Sequence, residues 1–199
     1  MPADVDGRTA RRDRNRDAVL DAVIALFSED NLDPTPEQVA RRSGVSLRSV
    51  YRYFADQDEL LRAATQRHFE TVAPLFAIHA IGQGPLTARV DAFVEARVRG
   101  YDAIAATHRA ARLRAPANEI IHDRLDRGRR ELRAQVERQF EPELGAMPAQ
   151  RARAITAAAD TLTQIEAIEQ YRLHRRHSLA TTRELLAIAL TALLRAPAG

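Results

Sequence analysis

The sequence predicts an all-α protein, with three short helices near its N-terminus and a larger helical region after them. Apolar residues recur at intervals of three and four along almost the whole chain, and no segment alternates strictly as a half-buried strand would. Prolines fall mainly where helices should begin or end. Residues 1–12 are small and charged and have no apolar spacing. We therefore expect a disordered arm over 1–12, a first domain over 13–55 and a second over 56–199.

Composition excludes several classes of protein. The 199 residues include no cysteine, so disulfide bonds and thiol chemistry are absent. No apolar run approaches the roughly 20 residues that span a bilayer, and the first 16 residues are polar and charged rather than typical of a secretory signal. We expect a cytoplasmic protein without a membrane partner.

The basic charge is concentrated locally. All 30 basic side chains are arginine, and the net charge of +3 is too small to argue for nucleic-acid binding by itself. Between residues 38 and 53, however, four arginines occur without an acidic residue, namely Arg41, Arg42, Arg48 and Arg52. Arginine carries a permanent charge on a planar group that suits phosphates and base edges.

Capping patterns define the first helices. A helix over about 13–29 is followed by Thr35, Pro36 and Gln38, the pattern of an N-cap with a capping-box partner. Gly44 is suited to end that second helix in a left-handed conformation. Ser46 can cap a third helix that ends near Tyr53.

Two short helices joined by a tight glycine-containing turn describe a helix-turn-helix unit, whose second helix enters the DNA major groove. The predicted inward residues are Val39, Ala40, Val45, Val50 and Phe54, covered by Leu26 and Phe27. The predicted outward surface contains donors, aromatics and cations but no carboxylate: Ser46, Leu47, Arg48, Ser49, Tyr51, Arg52 and Tyr53.

Longer helices follow. Asp56 and Glu59 form a capping pair that opens a fourth helix, expected to reach about His79 despite Pro74. Further helices are predicted near 86–107, 108–114, 117–140, 149–176 and 180–195. The last is apolar on more than one face, so a second subunit is expected to cover part of it.

We call residues 14–62 the head. Several motifs fall at fixed offsets across its helices: Ala25-Leu26-Phe27, Val39-Ala40, Gly44-Val45-Ser46, Val50-Tyr51-Arg52-Tyr53-Phe54 and Leu60-Leu61. On these residues the head resembles the N-terminal domain of TetR-type regulators. This resemblance implies an all-helical homodimer that joins through its C-terminal helices, binds a palindromic operator in double-stranded DNA and responds to a small molecule. Repression is the direction of control that the resemblance implies.

The resemblance also implies roles for single residues. Tyr51, Tyr53, Ser49 and Thr35 match positions that contact phosphates. Leu47 and Arg48 match positions that reach base edges, and Arg48 suits a guanine. The full set of expected DNA-binding residues is Thr35, Arg42, Ser46, Leu47, Arg48, Ser49, Tyr51, Arg52 and Tyr53.

Three residues depart from the family pattern. Pro36 stands where a second threonine is common, Arg48 where glycine is common, and Gln57 where a phosphate-contacting lysine is very common. The missing contact has a candidate substitute in a flexible arm that contains Arg8, Arg11, Arg12 and Arg14.

An effector pocket is expected between the fourth and later helices, where Arg97 and Tyr101, one turn apart among apolar neighbours, are suited to anchor a polar group. The candidate lining residues are His68, Val72, Phe76, Phe93, Arg97, Tyr101, Leu125, Leu162 and Ile165. Each of these residues also fits a plain core position.

The sequence thus predicts a ligand-responsive DNA-binding regulator rather than an enzyme, with no catalytic residues, metal or cofactor. Two alternatives remain. Glu119 and His122 form a Glu-x-x-His pair of the kind found in di-iron bundles, although no second copy is present, so a helical-bundle metal enzyme is one. A helical adaptor that binds protein through its helix-turn-helix is the other.

Overall fold

The computed structural model describes the backbone of residues 3–195 and the side chains of residues 9–195, and within this range it is helical without a strand. The all-α fold class is therefore confirmed. None of the described helices is both long and apolar enough to cross a membrane. The helices are α1 (Ala3–Ser28), α2 (Pro36–Ser43), α3 (Leu47–Tyr53), α4 (Gln57–Val72), α5 (Leu86–Arg114), α6 (Glu119–Gln139), α7 (Glu141–Gly145), α8 (Ala149–Thr163), α9 (Ile165–Glu169) and α10 (Leu179–Arg195).

Packing divides the chain into two compact units. Unit 1 contains the residues up to Thr71 together with Ala106–His122, and unit 2 contains Val72–Ala105 and the residues from Asp123 onward. Most of α4 is thus grouped with the first three helices. The division of function at residues 55 and 56 stays a prediction.

Unit 1 is built on an apolar cluster shared by α1 to α4. Its fully buried members include Val23 and Phe27 from α1, Val39 from α2 and Val50 from α3. Ala110, near the end of α5, packs into the same cluster. The predicted inward residues of the helix-turn-helix are therefore buried, with Ala40 and Leu26 partly covered at its edge.

Helix α1 begins earlier than the sequence analysis expected. The structure is helical from Ala3, where disorder was expected over 1–12; Met1, Pro2 and the side chain of Arg8 lie outside the described residues. Arginine and alanine are strong helix formers. Acidic and basic residues three apart, such as Asp13 with Arg16, further favour the helix. The arginines at 11, 12 and 14 are exposed on this helix rather than carried by an irregular arm.

Two predicted helices were too long. Helix α4 ends at Val72, not near His79, because Pro74 cannot donate to the helical ladder, and the chain continues as a 3-10 turn over Ala73–Phe76. The single helix expected over 149–176 is broken at Gln164, whose backbone is extended at φ −68° and ψ 158°. The Gln164 side chain there donates to the Arg129 carbonyl at 3.5 Å. A π-helical turn over Gln170–His174 follows α9.

Two other boundaries differ in the opposite sense. Helix α5 is continuous to Arg114, so residues 108–114 are not a separate helix. The segment expected to be a break before Pro148 contains the short helix α7.

Unit 2 has a buried polar cluster at one end of α5. Arg89 is buried, donates to the Gln139 carbonyl at 2.9 Å and forms an ion pair with Glu143. The Gln139 amide donates back to the Arg89 carbonyl at 2.7 Å, and its oxygen accepts from the Gly82 N–H at 2.9 Å. Because each polar group has a partner, this cluster fixes the loop before α5 to the ends of α6 and α7 without leaving a costly bare charge.

Candidate DNA-binding surface

The turn between α2 and α3 has the geometry that the sequence predicts. Thr35 caps α2 by accepting from the Gln38 N–H at 3.3 Å, and the Gln38 side chain accepts from the Thr35 N–H at 2.8 Å. Gly44 ends α2 with φ 70° in the left-handed region, which glycine adopts without a steric penalty. Ser46 then caps α3 by accepting from the Ser49 N–H at 3.3 Å.

Helix α3 turns one face to the core and the opposite face to solvent. Val50 is buried, whereas Arg48 and Arg52 are exposed and Tyr51 keeps 49% of its surface accessible. Leu47, Ser49 and Tyr53 are partly exposed. An exposed tyrosine beside two arginines, on a helix without a carboxylate, matches the phosphate and base contacts made by a helix in the major groove.

Several of these side chains are ordered by one another before any ligand arrives. The Ser46 hydroxyl donates to the Ser49 hydroxyl at 3.0 Å. Arg52 donates to the Tyr53 hydroxyl at 3.3 Å, and its guanidinium lies 5.2 Å from the centre of the Tyr53 ring. This network restricts the rotamers of Arg52 and Tyr53, which lowers the entropy lost when a DNA strand orders them.

Arg42 and Arg48 differ in their charge environment. The Arg42 guanidinium is paired with Glu29 at 2.7 Å, so part of its charge is already compensated within the head. Arg48 has no ion pair with any residue that the structure describes. Arg48 therefore presents the less compensated charge to a ligand.

Gln57 has an intramolecular partner in the position where the family commonly has a lysine. Its amide donates to the Asp33 carboxylate at 2.8 Å and to the Pro34 carbonyl at 3.2 Å. The side chain therefore holds the α1–α2 loop against the start of α4. Sequence reasoning noticed the missing lysine but not this tie, because Asp33 lies 24 residues away along the chain.

Comparison with known proteins agrees with this geometry. Residues 19–64 match the family model described as bacterial regulatory proteins, tetR family. The part of the chain that contains the C-terminal part of α1, all of α2 and α3 and the first half of α4 is therefore similar to proteins of the TetR family. The chain is also similar to the HTH-type transcriptional regulator BetI of Escherichia coli, with 36% identity over 84 residues. That alignment covers 40% of this chain and 43% of the relative, so the chain spans less than half the length of the curated protein it matches.

Of the expected effector-pocket residues, Arg97 has the most distinctive surroundings. Its side chain is fully buried in unit 2, donates to Gln135 and to the Leu132 carbonyl, both at 2.6 Å, and lies 4.4 Å from the centre of the Phe93 ring. Burial lowers the pKa of Arg97 to about 9, although the nearby Asp160 carboxylate acts in the opposite direction. The buried Nε atom has no hydrogen-bond partner.

The remaining pocket candidates divide between the two units. Gln135, which accepts from Arg97, donates to the Phe76 carbonyl at 3.0 Å and thereby connects Phe76 with the Arg97 network. Val72, Tyr101, Leu125 and Ile165 are buried in unit 2, and Leu162 is partly exposed. His68 belongs to unit 1, where its Nδ1 lies 2.6 Å from the Thr107 hydroxyl.

Sequence reasoning missed the two glutamines of α6 that hold these networks. Gln135 and Gln139 are four residues apart and flank the buried Val136. The sequence signal that could have identified them is that both are polar residues at the spacing of core positions on an amphipathic helix.

The metal-enzyme alternative requires further ligands near Glu119 and His122. Among the described residues, no three His, Cys, Asp or Glu side chains form a group that could hold a metal ion.

Proposed function

We propose that this protein is a ligand-responsive transcriptional regulator that binds a palindromic operator as a homodimer and acts as a repressor. The observation that carries the DNA-binding part is the outward face of α3. It presents Arg48, Tyr51 and Arg52 without an acidic neighbour on the helix, in a head whose sequence matches the TetR family. The similarity to a transcriptional regulator points the same way.

Roles follow from the chemistry of each side chain. The hydroxyl groups of Thr35, Ser49, Tyr51 and Tyr53 contact phosphates and set the position of the head on the duplex. The base edges are contacted by the side chains near the start of α3, where Arg48 donates to the O6 and N7 atoms of a guanine and Leu47 packs against a thymine methyl. Ser46, Arg42 and Arg52 support the phosphate contacts at the edge of this surface.

The homodimer is supported by the surfaces of α8 and α10. On α10, Leu186, Leu190 and Leu194 face the core, yet Ile188 on the other side has 61% of its surface exposed. A shallow surface depression is lined there by Ala187, Ile188, Thr191, Ala192 and Arg195. Helix α8 packs against α10 and exposes the small side chains of Ala154, Ala157 and Ala158. Such faces suit close packing against the same helices of a second copy.

The response to a ligand is proposed to involve Arg97. A buried guanidinium with only neutral direct partners and one unpartnered donor is an anchor for a polar group of an effector. Binding would favour the state with the weaker DNA affinity, and such coupling is typically about 1–3 kcal/mol.

Selection of bound fragments from random and genomic DNA tests the proposal. We expect an enriched palindrome whose half-site centres are about one helical turn, roughly 34–36 Å, apart or a multiple of it. A double variant, Arg48→Ala with Tyr51→Ala, serves as the matched control and should enrich no motif. If the wild-type protein also enriches none, the DNA-binding function is wrong and the adaptor alternative gains weight.

A further inference from the structure

Two arginines of α5 hold the loop that leads into α2. Arg114 donates to the Leu32 carbonyl at 3.0 Å and forms an ion pair with the Asp33 carboxylate. Five residues earlier on α5, Arg109 donates to the Asp30 carboxylate at 2.9 Å. We refer to Arg109 and Arg114, with Asp30, Leu32 and Asp33, as the α5 latch.

Two sets of hydrogen bonds, joined through the backbone of the loop, lie between the latch and the DNA-binding surface. Asp33 accepts from Arg114 and from Gln57, which also holds the Pro34 carbonyl. Asn31 donates to the Gln38 side chain at 3.1 Å. The same oxygen of Gln38 accepts from the N–H of Thr35, the proposed phosphate contact. The position of the first turn of α2 therefore depends on a loop that Arg114 holds on its other side.

The α5 latch fixes the position of the α1–α2 loop more than it adds to the folding free energy. The Asp33 side chain is 62% exposed, and ion pairs with exposed partners contribute little to folding free energy. Arg114 itself is only 13% exposed and binds a main-chain carbonyl as well as a carboxylate, so the planar guanidinium fixes both the loop backbone and its side chain. Both guanidinium groups and the loop that they hold belong to unit 1.

We propose that Arg114, assisted by Arg109, is a positioning residue that keeps the start of α2 in its DNA-competent place. The proposal rests on the proposed DNA-binding function and adds a residue on which that function depends without contacting DNA. Neither arginine is required to touch DNA. The latch acts through the loop and through Thr35.

Hydrogen exchange of the protein without DNA gives the first test. Arg114→Ala should accelerate exchange at the amides of Asn31 and Thr35 about tenfold, while amides within α3 keep their wild-type rates. Arg67→Ala is the matched control, because Arg67 also pairs with an aspartate, Asp21, and with a main-chain carbonyl, that of Asp17, both at 3.0 Å. Equal exchange in the Arg114 variant and the control overturns the proposal.

Operator affinity gives the second test, with DNA obtained by selection on the wild-type protein. Arg114→Ala should raise Kd about tenfold without changing the salt dependence of binding, since no phosphate contact made by a cation is lost. A fall of about one in the salt slope would show that Arg114 contacts a phosphate directly, and an unchanged Kd would show that the latch has no role; either result overturns the proposal.

Two further variants keep the test decisive. Arg114→Lys retains the charge but cannot bridge carbonyl and carboxylate in one plane, so its Kd should lie between those of wild type and Arg114→Ala. Wild-type affinity in this variant would mean that charge alone suffices and would overturn the proposal. Asp33→Asn replaces Arg114→Ala if the latter does not fold, with the same expected direction. Failure of the wild type to select any DNA refutes the proposed function, whereas the exchange experiment still reports on the latch.

Discussion

The ring of Phe76 lies directly against the backbone of α5 at Gly100. A β-carbon on Gly100 would stand 2.4 Å from Cε1 of that ring, closer than real β-carbons approach another atom. The carbonyl of Phe76 accepts from Gln135, which in turn accepts from Arg97. Because Gly100 has no side chain, the Phe76 ring can lie against α5 while the Phe76 carbonyl keeps its bond to Gln135 in the Arg97 network.

Substitution of two helical glycines of unit 2, Gly100 and Gly128, should have opposite effects. Gly100→Ala should lower the free energy of unfolding by about 1–2 kcal/mol, because displacement of the Phe76 ring outweighs the gain in helix propensity. In Gly128→Ala the new β-carbon would lie 3.8 Å from the nearest side-chain atom, so this variant should be about 0.5–1 kcal/mol more stable than wild type. Denaturant unfolding of the two variants measures the difference. Equal stabilities would show that the ring does not rest on Gly100 in solution.

The stability of the protein should depend on His68 in mildly acidic solution. Burial lowers the pKa of His68 below the ordinary value of 6.5, so the folded protein resists a proton that the unfolded chain accepts. The resulting stability is complete above about pH 6.5 and is lost as the pH falls toward the lower pKa of the folded state. Unfolding measured from pH 7 to pH 5 should show this loss, and His68→Gln should reduce it. The same pH dependence in both proteins would assign the effect to another group.

Arg48 should determine specificity at one base pair. Arg48→Ala is expected to cost about 1–3 kcal/mol on the preferred operator and to remove the preference for guanine at a single position. Arg41→Ala, which removes an exposed cation from α2, should weaken binding to all sequences about equally. Competition with operators substituted at each position distinguishes the two patterns. If Arg48→Ala weakens all sequences uniformly, Arg48 contacts a phosphate instead of a base.

Ile188 should be required for dimerisation. Ile188→Glu places a charge in the centre of the exposed apolar face of α10, so the dimer should dissociate to monomers at micromolar concentration. Ile120→Glu is a close control, because Ile120 on α6 is 59% exposed and lies outside the proposed interface. Sedimentation equilibrium of both variants gives the mass directly. A dimeric Ile188→Glu variant would place the interface elsewhere.

Local patterns predicted the head well. The Thr35 and Gln38 capping box, the left-handed Gly44 and the Ser46 cap are all present, because each depends on residues within four positions of one another. The burial of Val39, Val50 and Phe54 was predictable for a similar reason, since helical spacing determines which residues share a face.

Long-range contacts were not predictable in this way. The bonds from Gln57 and Arg114 to the α1–α2 loop join residues 24 and 81 positions apart. The Arg97 network likewise joins α5 to α6 across 38 positions. The break at Gln164 was missed as well; the Gln164 side chain donates to the Asp160 carboxylate within α8 and also to the Arg129 carbonyl, 35 positions away.

The outward face of α3 contains arginine, tyrosine, serine and leucine side chains but no imidazole, thiol, primary amine or carboxylate. Acylation of lysine, oxidation of cysteine and protonation of histidine therefore cannot alter the charge that this face offers to a nucleic acid. Its electrostatic attraction for DNA should be the same in acidified, oxidised and acetylating conditions. A change in where this face is held would alter binding without any change in its charge.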